Sequence, residues 1–477
     1  MTHSSLPSPD NDLKNPSFLQ SLATFLVIVG VIGFGLFYLK TSIHSLMLVC
    51  LSLAGMSAWT LSNDGFQSIR RAMNSGIQRA LSAIYIFILI GVLISALIQC
   101  GAVATLIYYG LNSISPAVFL PAGMVLCSLM SVVTGTSWGT AGTAGVVLMG
   151  IGQAMDIPTP IVAGAVISGA CFGDKMSPVS DTTNLAAMSS ETDLYRHIRS
   201  MLVTTVPAYL LAMLIFCLVG VSYAGEGLAD DQLNRMLTGI ETAFSVSWIT
   251  LLPFVVLVVM GLRRISPEVA MMSSAGVAVI LAVLFQQADF TSVLESLHSG
   301  GRFETGVDTL DNLFSRGGIM AMMWTLSLAL LALALGGILS EFGFLKTLIS
   351  GMLKRIKTSA GLISTTILSG IVGNMSMGEA YMTIILGGQL YSKAFDERGL
   401  ERSVLSRSLE EGATLSTALI PWTTAGAFFA KTLDVQVIDY LPWALFNWIN
   451  PILAIGFAYL GIGLFRAKTV AAIRANE

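Results

Sequence analysis

The chain has 477 residues, 54% of them hydrophobic and 11% charged, with a formal net charge of -3. Soluble domains carry roughly 25% charged residues, so the composition excludes a soluble globule and indicates an all-α polytopic membrane protein. No basic patch interleaved with aromatics points to nucleic acid, five cysteines without CxxC spacing frame no disulfide or zinc site, and four scattered histidines form no HExxH pair.

The first 17 residues are polar, and 1–19 read as a cytoplasmic tail, without the basic start of a cleaved signal peptide. A first unit spans 20–225. Its apolar runs near 20–38, 43–61, 81–99 and 200–222 match the length of a crossing, about 20 residues. The segment 101–112 is short and mixed and is expected at the membrane interface. Residues 117–190 are apolar but punctured by glycine and polar residues. They read as a re-entrant hairpin near 117–152 followed by a broken transmembrane helix near 159–190.

The hairpin tip is Gly135-Thr136-Ser137-Trp138-Gly139-Thr140. Glycines permit the reversal, and Thr136 and Ser137 offer neutral oxygens suited to a hard cation such as Na+, by analogy with oxygen ligation of calcium and magnesium. Small-residue helix packing is the competing reading. The broken helix carries GACFGDKMSPVSDTTN (169–184). A charge at a bilayer centre costs roughly 2.5–3.5 kcal/mol on insertion scales, and Pro178 removes a backbone donor. Asp174, Ser180, Asp181, Thr182, Thr183 and Asn184 therefore form the candidate cation or proton cluster, centred on Asp181. Helix capping is the alternative for either aspartate. Lys175 reads as a structural counter-ion or a snorkelling residue.

Residues 226–245 read as an extracytoplasmic loop, and 246–465 as a second unit. Its crossings lie near 246–262, 268–286, 318–338 and 441–465, with an outer loop at 287–317 and an interfacial segment at 342–357. Hairpin 2 lies near 360–392, with its tip at Gly373–Glu379, and a second broken helix near 408–432 contains Pro421. Glu379 is a lone carboxylate between apolar runs. Desolvation there favours proton uptake, as a proton carrier requires. Glu410 and Glu411 are expected at the cytoplasmic edge, solvated. Residues 466–477 form a cytoplasmic tail.

Arg70, Arg71, Arg79, Arg196, Arg199, Arg263, Arg264, Lys393, Arg398 and Arg402 fall on one side of this map, as the positive-inside rule requires when both termini are cytoplasmic. Residues 131–150 and 369–388 resemble each other, and SPVSDTTNLA parallels LIPWTTAGAF, pairing Thr182-Thr183 with Thr423-Thr424. The helices before the two hairpins run in opposite directions. The expected fold is two inverted-topology repeats, about 10 crossings plus the two hairpins, with a site near the midplane.

The segments GTSWGT (135–140), FGDKMSPVSDTTNLAAMS (172–189) and IPWTTAGAF (420–428) resemble the NhaC-type sodium/proton antiporter family, within the ion transporter superfamily. The resemblance covers about 20–465. It implies inverted repeats, a homodimer and elevator-like movement in a bacterial inner membrane. The expected function is sodium-coupled secondary transport, most simply Na+/H+ antiport, with Na+ among Thr136, Ser137, Ser180, Asp181 and Thr182 and with Asp181 or Glu379 exchanging protons. Na+ is the coupling ion and no cofactor is expected. The alternative is a Na+- or H+-coupled carrier of an amino acid or carboxylate. That solute would lie between the tips, with Asn374, Ser376, Thr423 and Thr424 as hydrogen-bond partners and Trp138 or Trp422 as an apolar wall. A membrane enzyme has no visible nucleophile–base or metal constellation to rest on.

Overall fold

The computed structural model describes residues 14–223, 230–354 and 356–466. Of the expected tails, 1–19 and 466–477, residues 1–13 and 467–477 lie outside the described residues. The chain opens with α1 (Phe18–Phe37), capped by Ser17, and α2 (Ile43–Trp59), followed by α3 (Phe66–Gln78). Next come α4 (Leu81–Gln99) and α5 (Ala102–Ser113), bent by 65° at Gly101. α6 (Pro116–Thr134) carries proline in its first turn, where the missing N–H costs nothing. After the tip follow α7 (Ser137–Thr140), a π turn (Ala141–Gly145) and α8 (Val146–Ala154).

The first broken helix is α9 (Thr159–Met176) and α10 (Asp181–Ser189). α11 (Leu194–Ser222) is long and apolar, and Asp193 caps it. α12 (Asp230–Ala243), a 3-10 turn (Trp248–Leu251), α13 (Leu252–Leu262) and α14 (Pro267–Leu284) lead to α15 (Phe290–Ser299) and α16 (Asp308–Phe314). The second half continues with α17 (Ile319–Glu341) and α18 (Phe344–Leu353). Hairpin 2 is α19 (Ser359–Met377) and α20 (Ala380–Glu397). α21 (Arg402–Leu409), a π turn (Glu410–Thr414), α22 (Leu415–Thr417) and α23 (Thr424–Leu433) make the second broken helix. α24 (Val437–Tyr440) and α25 (Leu445–Tyr459) complete the described chain.

The protein is an all-helical polytopic membrane protein. Six of its described helices are long and apolar enough to cross, or up to eight if each bent pair counts as one span. Leu19, Leu26 and Phe37 of α1 and Leu210, Leu214 and Leu218 of α11 are exposed, an outward apolar surface suited to lipid tails. Where helices approach closely, glycine sets the distance. A Cβ on Gly173 of α9 would sit 2.3 Å from Ser128 O of α6, and one on Gly337 of α17 would sit 2.2 Å from Ala72 O of α3.

Several expectations change. The segments expected at the interface, 101–112 and 342–357, contain α5 and α18, whose Thr105, Ile107, Phe344 and Ile349 are buried in the core. Their apolar faces pack against other helices. The expected outer loops contain helices α12, α15 and α16. Within the expected tip of hairpin 2, Gly373–Glu379, the chain turns at Gly378: Gly135 and Gly378 both end their helices in the left-handed region, at φ 69 and 67. Gly373 lies inside α19, where a Cβ would meet Thr383 at 2.5 Å. The break residues Ser180 and Thr423 have the same sequence separation as the two tip glycines, and each caps the helix that follows. Conformation thus pairs Ser180 with Thr423, where sequence alone pairs Thr182 with it.

Candidate functional site

Each broken helix leaves carbonyls without their helical partners, and buried carbonyls must be satisfied. In the first break, Thr183 Oγ1 donates to Lys175 O at 3.1 Å and Asp174 O at 3.3 Å. Asn184 Nδ2 donates to Pro178 O at 3.0 Å and Ser180 O at 2.7 Å. In the second, Thr417 Oγ1 donates to Thr414 O, Asn374 Nδ2 to Ala413 O, Asn447 Nδ2 to Leu415 O and Thr423 Oγ1 to Thr417 O. Thr183, Asn184, Asn374 and Thr423 therefore hold the breaks open in defined shapes.

Asp174 is the hub where hairpin 1 meets the first break. Its Oδ2 accepts from Ser137 N at 3.1 Å and Ser137 Oγ at 2.7 Å, and its Oδ1 accepts from Ser180 Oγ at 2.6 Å. Ser180 Oγ lies 3.1 Å from Thr182 Oγ1. Asp174, Ser137, Ser180 and Thr182 are all buried. One carboxylate and three hydroxyl oxygens thus converge at the point where two helix ends face a tip. The sequence placed Asp181 at the centre of this cluster. Asp181 instead stands beside it, at the first turn of α10, deep among neighbouring groups yet open to solvent. Its Oδ1 accepts from Thr182 N at 2.8 Å and its Oδ2 accepts from the Tyr381 hydroxyl.

Tyr381 was not anticipated, because nothing in GNMSMGEAY marks a tyrosine for a partner in the other half of the chain. It belongs to α20, and its backbone N–H donates to Glu379 Oε1 at 3.2 Å. Glu379 is buried at the tip of hairpin 2, and its Oε2 accepts from Thr424 Oγ1 at 3.1 Å. Thr424 N donates to Gly378 O at 2.9 Å. The second tip thus meets the second break as the first tip meets the first break, and Tyr381 links the two places.

The family model described as the Na+/H+ antiporter family matches residues 16–171 and 169–462. The chain belongs to the Na+/H+ antiporter family. It is 38% identical over 446 residues to the Na+/H+ antiporter NhaC of Alkalihalophilus pseudofirmus, covering 93% of this chain and 96% of that protein. It is 36% identical to the Na+/H+ antiporter NhaC of Bacillus subtilis, covering 93% and 98%. The malate-2H+/Na+-lactate antiporter of Bacillus subtilis is 33% identical, covering 96% and 97%. A solved structure of MtrF from Neisseria gonorrhoeae overlays with a TM-score of 0.41 at 11% identity, covering 97% of this chain and 96% of that one, too loosely to bear on the site.

In this member of the antiporter family, the remaining expected residues lie apart from the hub. Thr136 Oγ1 caps Gly139 N at 3.2 Å and lines a small cavity with Leu257, Gly261 and Met271. Ser376 Oγ returns to Val372 O at 2.8 Å. Trp138 packs against both Phe87 and Phe428, with ring centroids 5.2 and 4.9 Å away, and those two rings also meet each other at 6.0 Å. Trp422 Nε1 donates to Met375 O at 2.9 Å, tying the second break to hairpin 2.

Glu410 and Glu411 overturn an expectation. They are not solvated at an edge but 0% exposed. The π turn that begins at Glu410 carries both carboxylates inward, toward Lys175 and Arg407. Lys175, also 0% exposed, has its Nζ 4.0 Å from Glu410 Oε2. The counter-ion reading of Lys175 therefore fits and the snorkelling one does not.

Proposed function

We propose that this protein is a secondary active transporter that exchanges Na+ for H+ across a bacterial inner membrane, a transporter rather than an enzyme. The observation that carries the reading is Asp174, buried and met by Ser137 and Ser180 at 2.6–3.1 Å. Its carboxylate, with the hydroxyl oxygens of Ser137, Ser180 and Thr182, forms a hard oxygen set for Na+. An unpaired carboxylate in a low-dielectric interior is costly, and either Na+ or a proton neutralises it. Two ions that compete for one site, which moves easily only when neutralised, are exchanged rather than co-transported. Asp181, open to solvent, is the entry carboxylate, and Glu379 is a second carboxylate available to the proton. Thr136 acts as the tip cap rather than a ligand. The relatives named Na+/H+ antiporters, similar over 93% of the chain, support the same reading.

The two tips and two breaks form the moving part of an elevator-like transporter, in a homodimer with both termini cytoplasmic. An organic-solute carrier gains support from the relative named a malate-2H+/Na+-lactate antiporter. Of the side chains it needs, however, Ser376, Thr423 and the Nδ2 of Asn374 donate to the protein's own carbonyls, and Thr424 donates to Glu379.

The test is purified protein in liposomes under an inward Na+ gradient, with internal pH recorded beside uptake of labelled amino acids and carboxylates. Saturable, Na+-driven alkalinisation of the lumen without added solute is the expected result. A silent pH trace with Na+-dependent accumulation of one solute would sink the exchange reading.

A further inference from the structure

Beyond the Asp174 hub lies a second set of buried ionisable groups. Lys175, Glu410 and Glu411 are 0% exposed and Arg407 is 1% exposed. Glu411 is held: Thr204 donates to its Oε1, and Arg407 Nε lies 3.8 Å from the same oxygen. Arg407 is itself fixed, its Nη1 donating to Ser200 O at 3.3 Å and Gly463 O at 3.2 Å. Glu410 is not held in this way. Neither of its carboxylate oxygens completes a hydrogen bond of good geometry, and the one donor beside it is the Thr414 hydroxyl. Its cation, Lys175, stands beyond hydrogen-bonding distance at 4.0 Å and makes no hydrogen bond through Nζ.

We propose that Glu410 is a second proton-binding site, separate from the Asp174 hub, through which the exchanger moves an additional proton for each sodium ion. A buried charge pair repays its desolvation only with good geometry and satisfied lone pairs. Glu410 lacks both, so a proton is the ligand this carboxylate takes, and Lys175 opposes a metal cation there. The charged groups acting on Glu410 are Lys175 of α9 and, across the first break, Asp174 and Asp181. Arg407 and Glu411 adjoin it on its own helix, and His197 of α11 faces Lys175 and Arg407. Of the elements packed against its π turn, α19 bonds Ala413 O through the neutral amide of Asn374, α25 bonds Leu415 O through that of Asn447, and α20 carries Tyr391, bonded to Ser369. The cluster runs from buried Lys175 through Glu411 and Arg407 to Gly463, which is half-buried near the described end of the chain. In each turnover an O–H bond forms at a Glu410 oxygen with a proton taken from water on one side. It breaks to release that proton to water on the other side, with no change of oxidation state.

The inference rests on the exchange reading above and deepens it. The test uses the full chain in liposomes with the membrane potential clamped by potassium and valinomycin, counting protons and sodium ions together. The wild type is expected to move about two protons per sodium ion and to respond to the imposed potential. Glu410→Gln is expected to exchange still, at about one proton per sodium ion, with the response to potential lost. A wild-type ratio of one, or an unchanged ratio in Glu410→Gln, overturns the proposal while leaving Na+/H+ exchange standing. A wild type with no exchange at all overturns both. If Glu410→Gln does not purify as a monodisperse protein, the paired variant K175M/E410Q, which removes both charges, carries the same expectation.

Discussion

Asp174 collects donors from two separate stretches of chain, Ser137 from a hairpin tip and Ser180 from across a helix break. This convergence makes its replacement informative. Asp174→Asn keeps the shape and removes the charge, so Na+-driven pH change in liposomes is expected to be abolished, with the variant still monodisperse. Ser137→Ala removes one oxygen from the set. Loss of a contact to a charged group costs roughly 1.5–3 kcal/mol, so the Na+ concentration for half-maximal exchange is expected to rise at least about tenfold. An unchanged half-saturation in Ser137→Ala would remove that hydroxyl from the ion's path. The residue types at this hub were legible in the sequence as a polar cluster. Which aspartate stood at its centre was not, because Asp181 has the richer neighbourhood along the chain and Asp174 the richer one in space.

Among the elements, the two tips depend on glycine backbones. Gly378 has φ +67, and a Cβ there would also stand 3.0 Å from the Ala332 Cβ. An L-residue in this region costs about 1–2 kcal/mol, so Gly378→Ala is expected to lower the thermal unfolding midpoint in detergent by a few degrees. Gly456 in α25 has nothing within 4 Å of a Cβ. Gly456→Ala is expected to leave the midpoint unchanged or slightly raised, since alanine is the better helix former. Equal midpoints for the two variants would show that the tip is not strained by a side chain. The sequence bounded the second tip as Gly373–Glu379, with a glycine near each end. Only backbone conformation separates a glycine that turns the chain from one that lets Thr383 pack closely.

For the whole molecule, the apolar helices make a multi-pass membrane protein, and the charge bias of the loops gives the expectation that both termini are cytoplasmic. Arg316 and Asp434 come from distant segments, both expected on the outer face, and form an ion pair at 3.2 Å. Among the cysteines, four are buried and Cys217 is half-buried, so introduced surface thiols should dominate labelling. Glu304→Cys is expected to react with an impermeant maleimide in intact cells, and Lys354→Cys only after the membrane is opened. Reversed labelling would invert the topology and the cytoplasmic placement of the termini.

The sequence by itself determined the class of this protein, its family and the polar segments that interrupt its helices. Those features depend on local chemistry, because twenty apolar residues, a proline or a buried charge has the same meaning wherever the chain goes. Tertiary structure alone decided which carboxylate is the hub, that Tyr381 joins the two halves, and that Glu410 and Glu411 are buried beside Lys175 and Arg407. Glu410 and Glu411 follow Arg407 on the same helix and looked like a solvated edge. Their burial depends on a π turn and on a lysine more than two hundred residues earlier, and no periodicity along the chain encodes that distance in space.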